Sequence, residues 1–295
     1  MIIDTFMFNQ DFNALKIRLS ELYDAVDLFI IAETTYTHSG KPKPLHLSNN
    51  IDKFSEFKDK IVIVTNRRSV KTWYAPIREL HQRQLISKYL KSFRLGKDDL
   101  VIHSDCDEVP KKSVLLSLTK HNGDVNVLLE LNAYSMHLNL SDGIWQRGQI
   151  ISGNLYRSIA KMRQDIYIFQ NYDLRRHKFP LMRVPIHFTH RYFGLWFFPQ
   201  VVINKPKLQI VRNAGWHFNN LFKFNQIAEK ISASSHTELD TFEVHSKISE
   251  RYRLGEDPYT GRKLKVVKID ETYPAGIQNN LEMWSEYIIN NEKSS

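Results

Sequence analysis

The chain has 295 residues, 42% of them hydrophobic and 25% charged, a balance that excludes a disordered tail protein and a membrane-embedded one and leaves ample length for a buried core. Lysine and arginine outnumber the acids 41 to 32, for a net charge of +9. That excess points to a polyanionic partner, and nucleic acid, an anionic membrane surface and a nucleotide diphosphate all qualify. The single cysteine, Cys106, rules out an internal disulfide and suits a reducing compartment.

Residues 2–8 read as a short apolar strand. Leu15, Leu19, Leu22 and Val26 then recur at helical spacing. "DLFIIAE" (27–33) is apolar nearly throughout, as expected of a strand buried on both faces. "KIVIVT" (60–65) predicts a third strand, residues 74–94 a helix, and "DDLVIHS" (98–104) a fourth strand. This alternation argues for an α/β fold, a mostly parallel sheet flanked by helices in a single domain. "VNVLLEL" (125–131) is a further strand, and residues 132–200 are aromatic-rich without clear register. Lys207 to Val211 predicts a strand, 221–233 and 240–254 helices, and "NNLEMWSEYIINN" near the end a packing helix. No run approaches the roughly 20 apolar residues of a membrane span. The amino terminus lacks the layout of a secretory signal, so the expectation is a cytoplasmic protein with no membrane span.

The fourth strand delivers "HSDCDEVP" (103–110), three carboxylates in four residues. On an extended strand Asp105 and Asp107 share one side and Cys106 faces the other. Two carboxylates held so close repel unless a cation sits between them or one takes up a proton. Mn²⁺ or Mg²⁺ suits such oxygens and completes its shell with water or substrate phosphate. The plainer alternative is a solvated turn whose acids cap the next helix, started by Pro110. Parallel sheets bind ligands beyond the carboxyl ends of their strands, and Glu33 and Asp105 both fall at such ends.

Six segments occur in order: "RLSELYDAVDLFIIAETTYTHSGKPKPL" (18–45), "KIVIV" (60–64), "IRELHQRQLI" (77–86), "DDLVIHSDCDEVP" (98–110), "NAGWHF" (213–218) and "KISASSHTELD" (230–240). Together they resemble glycosyltransferase family 17, the β-1,4-N-acetylglucosaminyltransferase III-like enzymes that add bisecting GlcNAc. The resemblance runs from about residue 3 to about residue 260. It implies a GT-A type, Rossmann-like catalytic domain over 1–260, with 261–295 as a carboxyl-terminal extension carrying the packing helix. It further implies a UDP-sugar donor, UDP-GlcNAc in the characterised relatives, a Mn²⁺ (or Mg²⁺) ion, inversion at the anomeric carbon, and a protein- or lipid-linked glycan acceptor. The animal enzymes of this type look like Golgi proteins with an anchor and stem, which this chain does not match. Their cysteine-containing stretch after Gly-Trp-His is here "GWHFNNLF".

On this resemblance Asp105 and Asp107 bind metal and diphosphate, with Glu108 ranked below them as a helix-start residue. Glu33 is a donor-binding candidate, or a capping strand end. Gly40 suggests a tight turn, and Lys41 and Lys43 add charge at the same sheet edge, with Lys41 on the donor side. Arg83, able to pair with Glu79 four residues earlier, is a candidate for the diphosphate. Gly215 and Trp216 suggest a close backbone approach and an aromatic plate for the donor, against a plain core tryptophan. His217 and His236 each offer a further metal ligand. Inversion needs a base for the acceptor hydroxyl; Glu238 is the expected residue, with Asp240 next to it in rank, against helix capping.

Competing readings are a transferase using another UDP-sugar (Glc, Gal or GalNAc), a catalytically inactive glycan-binding protein, and a nucleic-acid-binding protein. Against the last, basic residues are scattered and no nucleic-acid-binding signature is present, so no nucleic-acid partner is expected. The residues that choose the sugar are expected within 132–200.

Overall fold

A computed structural model describes residues 1–67, 70, 72, 74–171 and 207–289. β1 (Ile2–Met7), helix α1 (Phe12–Leu22) and β2 (Leu28–Thr34) form the expected β-α-β opening. A kinked 3₁₀ segment (Ser48–Lys60), β3 (Ile61–Asn66), α2 (Ala75–Leu90) and β4 (Leu100–His103) complete a parallel half in the order β3-β2-β1-β4. Alternation explains the unbroken apolar run of β2. Phe29 and Ile31 pack on the α1 side with Leu15 and Leu19, while Ile30 and Ala32 pack on the α2 side with Ile86 and Leu90.

Beyond β4 the sheet turns mixed rather than purely parallel. β5 (Glu108–Pro110), α3 (Lys112–Leu118), β6 (Asn126–Ser135), β7 (Leu140–Ser152), α4 (Ile159–Asn171), β8 (Gln209–Val211) and β9 (Gly215–Asn219) follow. β7 is antiparallel to both β4 and β6, and β5 is antiparallel to β9. The physical reason is the β6–β7 hairpin: its return strand enters beside β4 against the parallel direction. β8 and β9 restore parallel pairing on β6. The long β7 lies inside the stretch whose register the sequence left open. Residues 172–200 of that stretch, expected to hold the sugar-choosing side chains, lie outside the described residues.

α5 (Phe224–Ala233), α6 (Phe242–Leu254), β10 (Lys265–Val266) and α7 (Ala275–Gln278) close the chain. The terminal packing helix is not formed as expected. α7 ends at its cap Asn279, and a 3₁₀ turn (Ser285–Tyr287) follows. Trp284 is buried, in one cluster with Tyr273 and Ile277, and burial of that large ring accounts for the bent path. Among the described residues no helix is long and apolar enough to cross a membrane.

Candidate active site

The acidic segment is a turn rather than a strand end. β4 stops at His103, the Glu108 amide donates to the Asp105 carbonyl at 3.0 Å, and β5 starts at Glu108. The two aspartates therefore point to different partners instead of sharing one side. Pro110 ends β5, and α3 begins after Lys111.

One buried arginine holds this turn. Arg18 lies on the apolar face of α1 with no solvent exposure. Its Nε and Nη2 donate to the two oxygens of Asp4 at 2.7 and 2.6 Å. Nη1 donates to the carbonyls of Asp105 and Glu108, both at 2.8 Å, and Nη2 also to Ser104 Oγ at 2.8 Å. All five guanidinium protons are thus used, which no lysine could match. Sequence reasoning passed over Arg18, although a charge at the position between Leu15 and Leu22 of an apolar stripe is the signal that a buried partner is waiting.

Asp105 faces α2 and α4. Arg83 Nη2 donates to Asp105 Oδ1 at 2.8 Å and to Glu79 Oε1 at 2.9 Å, so the expected Glu79–Arg83 pair forms and extends to the acidic turn. Arg83 Nη1 donates to His103 Nε2 at 2.7 Å. His103 therefore carries its proton on Nδ1, within 3.1 Å of the Thr5 carbonyl. Burial and the neighbouring Arg83 keep this imidazole neutral, well below its ordinary pKa. Burial works against ionisation of Glu79, but Arg83 and His38 outweigh it and bring its pKa down to about 2. Asp105 is likewise held ionised, because Arg83 and Arg163 outweigh the cost of its burial. Arg163, on α4, reaches Asp105 Oδ2 only at 3.8 Å, and its Nη1 is buried with no hydrogen-bond partner among the described residues.

Asp107 faces the other way. Lys230 of α5 donates to Asp107 Oδ2 at 3.0 Å and to Asp11 Oδ1 at 2.9 Å. His217 Nε2 lies 3.7 Å from Asp107 Oδ1, and its ring stacks on Trp145 at 4.7 Å between centroids. Trp145 Nε1 donates to Glu108 Oε1 at 2.6 Å, while Glu108 Oε2 accepts the Asp105 amide at 2.9 Å. Glu108 thus braces the turn from within rather than starting a helix. Its carboxyl is pushed up by burial and by the charge of Asp105.

Each aspartate therefore has one oxygen in a short ion pair and one without. Asp105 Oδ2 lies 3.8 Å from Arg163 Nη2, and Asp107 Oδ1 lies 3.7 Å from His217 Nε2. Among the described residues no three His, Cys, Asp or Glu side chains cluster tightly enough to hold a metal by themselves. The donor set fits a hard divalent ion only in the form that takes one or two carboxylates and draws the rest of its shell from phosphate.

The remaining expected residues divide. Both oxygens of buried Glu33 are taken by the 3₁₀ segment, by the Leu47 amide at 2.7 Å and by the Ser48 amide and hydroxyl at 3.0 and 2.8 Å. Gly215 sits where a Cβ would lie 2.1 Å from the Val109 carbonyl oxygen, so the close approach is between β5 and β9. Trp216 is 2% exposed and packs with Val109, Tyr134 and Phe218. His236 and Glu238 pair with each other at 2.9 Å on the surface. Asp240 accepts from His245 Nε2 at 2.6 Å and Ser232 Oγ at 2.8 Å, bonds that lower its pKa, and lies 3.8 Å from Lys41.

Lys41, Ser232 and His245 line a cavity of about 480 Å³ that opens from Asn9 and Gln10, just past the end of β1, and is walled by α5. Asn9 Oδ1 and Gln10 Nε2 are buried and unpaired among the described residues. The Asp11–Lys230–Asp107 bridge joins this cavity to the acidic turn, since Asp11 follows Gln10 and Lys230 follows Glu229 in the wall. A cavity at a strand end with Lys41 and Lys43 in its lining, and with polar atoms unpaired among the described residues, is equipped to bind an anionic ligand.

Residues 1–170 match the family described as Glycosyltransferase family 17. The chain belongs to glycosyltransferase family 17. The family 17 match spans Asp105, Asp107, Arg18, Arg83 and Arg163, while Lys230, His217 and the 237–245 region lie beyond it. The Homo sapiens beta-1,4-mannosyl-glycoprotein 4-beta-N-acetylglucosaminyltransferase is 25% identical over 196 residues, 61% of this chain and 34% of that protein. Its Rattus norvegicus counterpart matches over the same shares at 25% identity, and that of Mus musculus at 24%. The chain spans about a third of the length of the curated relatives it matches. In this family 17 member the acidic turn follows the carboxyl end of β4, and the cavity opens just past the end of β1.

Proposed function

We propose that the chain transfers a sugar, GlcNAc as the names of its relatives suggest, from a UDP-sugar to a hydroxyl of a protein- or lipid-linked glycan, with inversion and with Mn²⁺ or Mg²⁺. The observation that carries this reading is that each aspartate keeps one oxygen outside a short ion pair, Asp105 Oδ2 at 3.8 Å from Arg163 and Asp107 Oδ1 at 3.7 Å from His217, on a turn that Lys230 and Asp11 link to the cavity. The nucleoside would enter past Asn9 and Gln10, and the diphosphate would lie between Arg163 and the acidic turn. Guanidinium groups suit phosphate oxygens because they donate two parallel bonds. Asp105 and Asp107 would hold the divalent ion, whose charge would offset that building on the departing diphosphate.

For the acceptor hydroxyl, Glu238 and Asp240 stay as the proposed bases. Asp240 has the better claim on position, since its partners Lys41, Ser232 and His245 line the cavity. Its lowered pKa counts against it as a base by itself, and the imidazole bonded to it could take the proton in its stead.

The reading is tested by titrating the protein with UDP, with and without Mn²⁺, and following Tm. A ligand that binds only the native state raises Tm by mass action. We expect a Mn²⁺-dependent rise that is lost in Asp105→Ala, followed by hydrolysis of UDP-GlcNAc in preference to UDP-Glc, UDP-Gal and UDP-GalNAc. An unchanged Tm with every nucleotide diphosphate would remove the donor site. Preference for another sugar would keep the mechanism and change the substrate.

A further inference from the structure

Lys230 is an unusual neighbour for an acid meant to hold a metal. Its ammonium sits between Asp11 at 2.9 Å and Asp107 at 3.0 Å, 5.1 Å above the Phe222 ring, with its side chain 20% exposed. It therefore balances Asp107 in much the way a bound cation would. A divalent ion approaching Asp107 Oδ1 would enter the field of this fixed positive charge, with the Asp107 carboxylate shared between them. Like charges at such separation repel strongly in a partly buried site, where solvent screening is weak. Two things relieve the conflict. Asp11 offers the ammonium a second carboxylate to fall back on, and a nucleotide diphosphate brings enough negative charge to satisfy both cations.

Resting on the metal-and-diphosphate reading above, we propose that Lys230 is a built-in competitor for the divalent cation: it occupies Asp107 in the unloaded protein, retreats to Asp11 when an ion binds, and so makes ion and nucleotide bind together. The retreat has a structural consequence. Lys230 lies on α5, whose residues Ala228, Glu229, Ser232 and Ala233 wall the cavity. The exchange of partners at Asp107 therefore takes place next to the space where the nucleoside would sit.

The two carboxylates that share Lys230 give opposite predictions. Without the ammonium, Asp107 is free for metal, so Lys230→Met should bind Mn²⁺ in the absence of nucleotide about tenfold more tightly than the unaltered protein, or better. Without the fallback carboxylate, Lys230 stays on Asp107, so Asp11→Asn should bind Mn²⁺ more weakly by a similar factor. A purely structural role would loosen the site in both variants and move both affinities the same way. The measurement is the free Mn²⁺ signal in electron paramagnetic resonance during titration of the full chain, with and without UDP, with thermal melts to establish that each variant is folded. We expect the gap between Lys230→Met and the unaltered protein to narrow when UDP is present. Mn²⁺ uptake with UDP in the unaltered protein, but no gain in folded Lys230→Met, would overturn the competitor role and leave the donor site standing. No Mn²⁺ uptake by any of the three, with or without UDP, would overturn the metal reading and this inference with it. Should Lys230→Met fail to fold, Asp11→Asn decides: weaker uptake supports the exchange, and equal or tighter uptake overturns it.

Discussion

Arg18 shows what a single side chain does for this site. The acidic turn sets three carboxylates within four residues, and its backbone would drift without a rigid support. Arg18 supplies that support from beneath: the Asp4 carboxylate fixes the guanidinium, and the guanidinium fixes the carbonyls of Asp105 and Glu108. Removing one partner of a buried ion pair is costly because the other is left unpaired out of water, by about 3 to 5 kcal/mol. Arg18→Lys keeps the charge but has three protons where five are used, and a point charge cannot span the fork. We expect urea denaturation of Arg18→Lys to show a loss of that order, and the Mn²⁺-dependent response to UDP to weaken even where the variant is folded. A variant as stable as the original and unchanged in its response would mean that the turn holds its own shape. The aspartates themselves were legible as a motif, since chain position and composition point to them. Arg18, Arg163 and Lys230 were not, because each acts through a partner far away in sequence: 87 residues separate Arg18 from Asp105 and 123 separate Lys230 from Asp107.

At the scale of elements, the parallel half of the sheet was readable because each strand there is an apolar run bounded by polar residues and followed by a helix. The antiparallel half was not. β7 begins "LSDGIWQRGQ", with residues 141–147 half-buried or exposed, so its pattern is broken over much of its length, and only its last residues read as core. The glycine before Trp216 was read as a sign of ligand approach, and what approaches it is another strand. β5 is only three residues long and carries the acidic turn at its amino end, so its pairing with β9 helps set where Asp107 points. Gly215 has φ 159°, at the edge of the extended region, so lack of space is the main obstacle to a side chain and conformation adds to it. A Cβ there would meet the Val109 carbonyl oxygen at 2.1 Å and Pro110 Cα at 2.9 Å, both main-chain atoms that cannot rotate away. Gly215→Ala should therefore push β5 from β9 and lower stability by about 1 to 3 kcal/mol, as overpacking does. The check is a thermal melt together with Mn²⁺ affinity in the presence of UDP. A fall in Tm with normal affinity would show that the turn is held by Arg18 and Glu108 alone, independently of the β5–β9 pairing.

At the scale of the whole molecule, the region carrying the acids and the last part of the chain are one packed body. Tyr273, Ile277 and Trp284 are buried in the same cluster as Val109, Trp216 and Phe218, and Leu264 joins Ile227, Ile231 and Val244 behind α5 and α6. β10 adds its two residues to the edge of the start of β7. The sequence read residues 261–295 as an extension carrying a packing helix. The packing is present, whereas residues 279–289 form turns and a 3₁₀ segment in place of the helix, with Trp284 buried and Leu281 and Met283 exposed. Each large apolar side chain fully buried contributes about 1.5 to 3 kcal/mol, so Leu264, Tyr273, Ile277 and Trp284 account for roughly 6 to 12 kcal/mol, against a total stability of about 5 to 15 kcal/mol for a typical domain. A chain cut after Lys263 should therefore lose its cooperative melt and bind the hydrophobic dye ANS, since Val109 on β5, the strand that follows the acidic turn, and its partner Trp216 on β9 would be uncovered. The dye signal and the melt are measured on the shortened and full chains side by side. If the shortened chain melts cooperatively and still responds to UDP with Mn²⁺, the support for Asp107 comes from α1 and α5 alone, and the terminal segment is a separable cover.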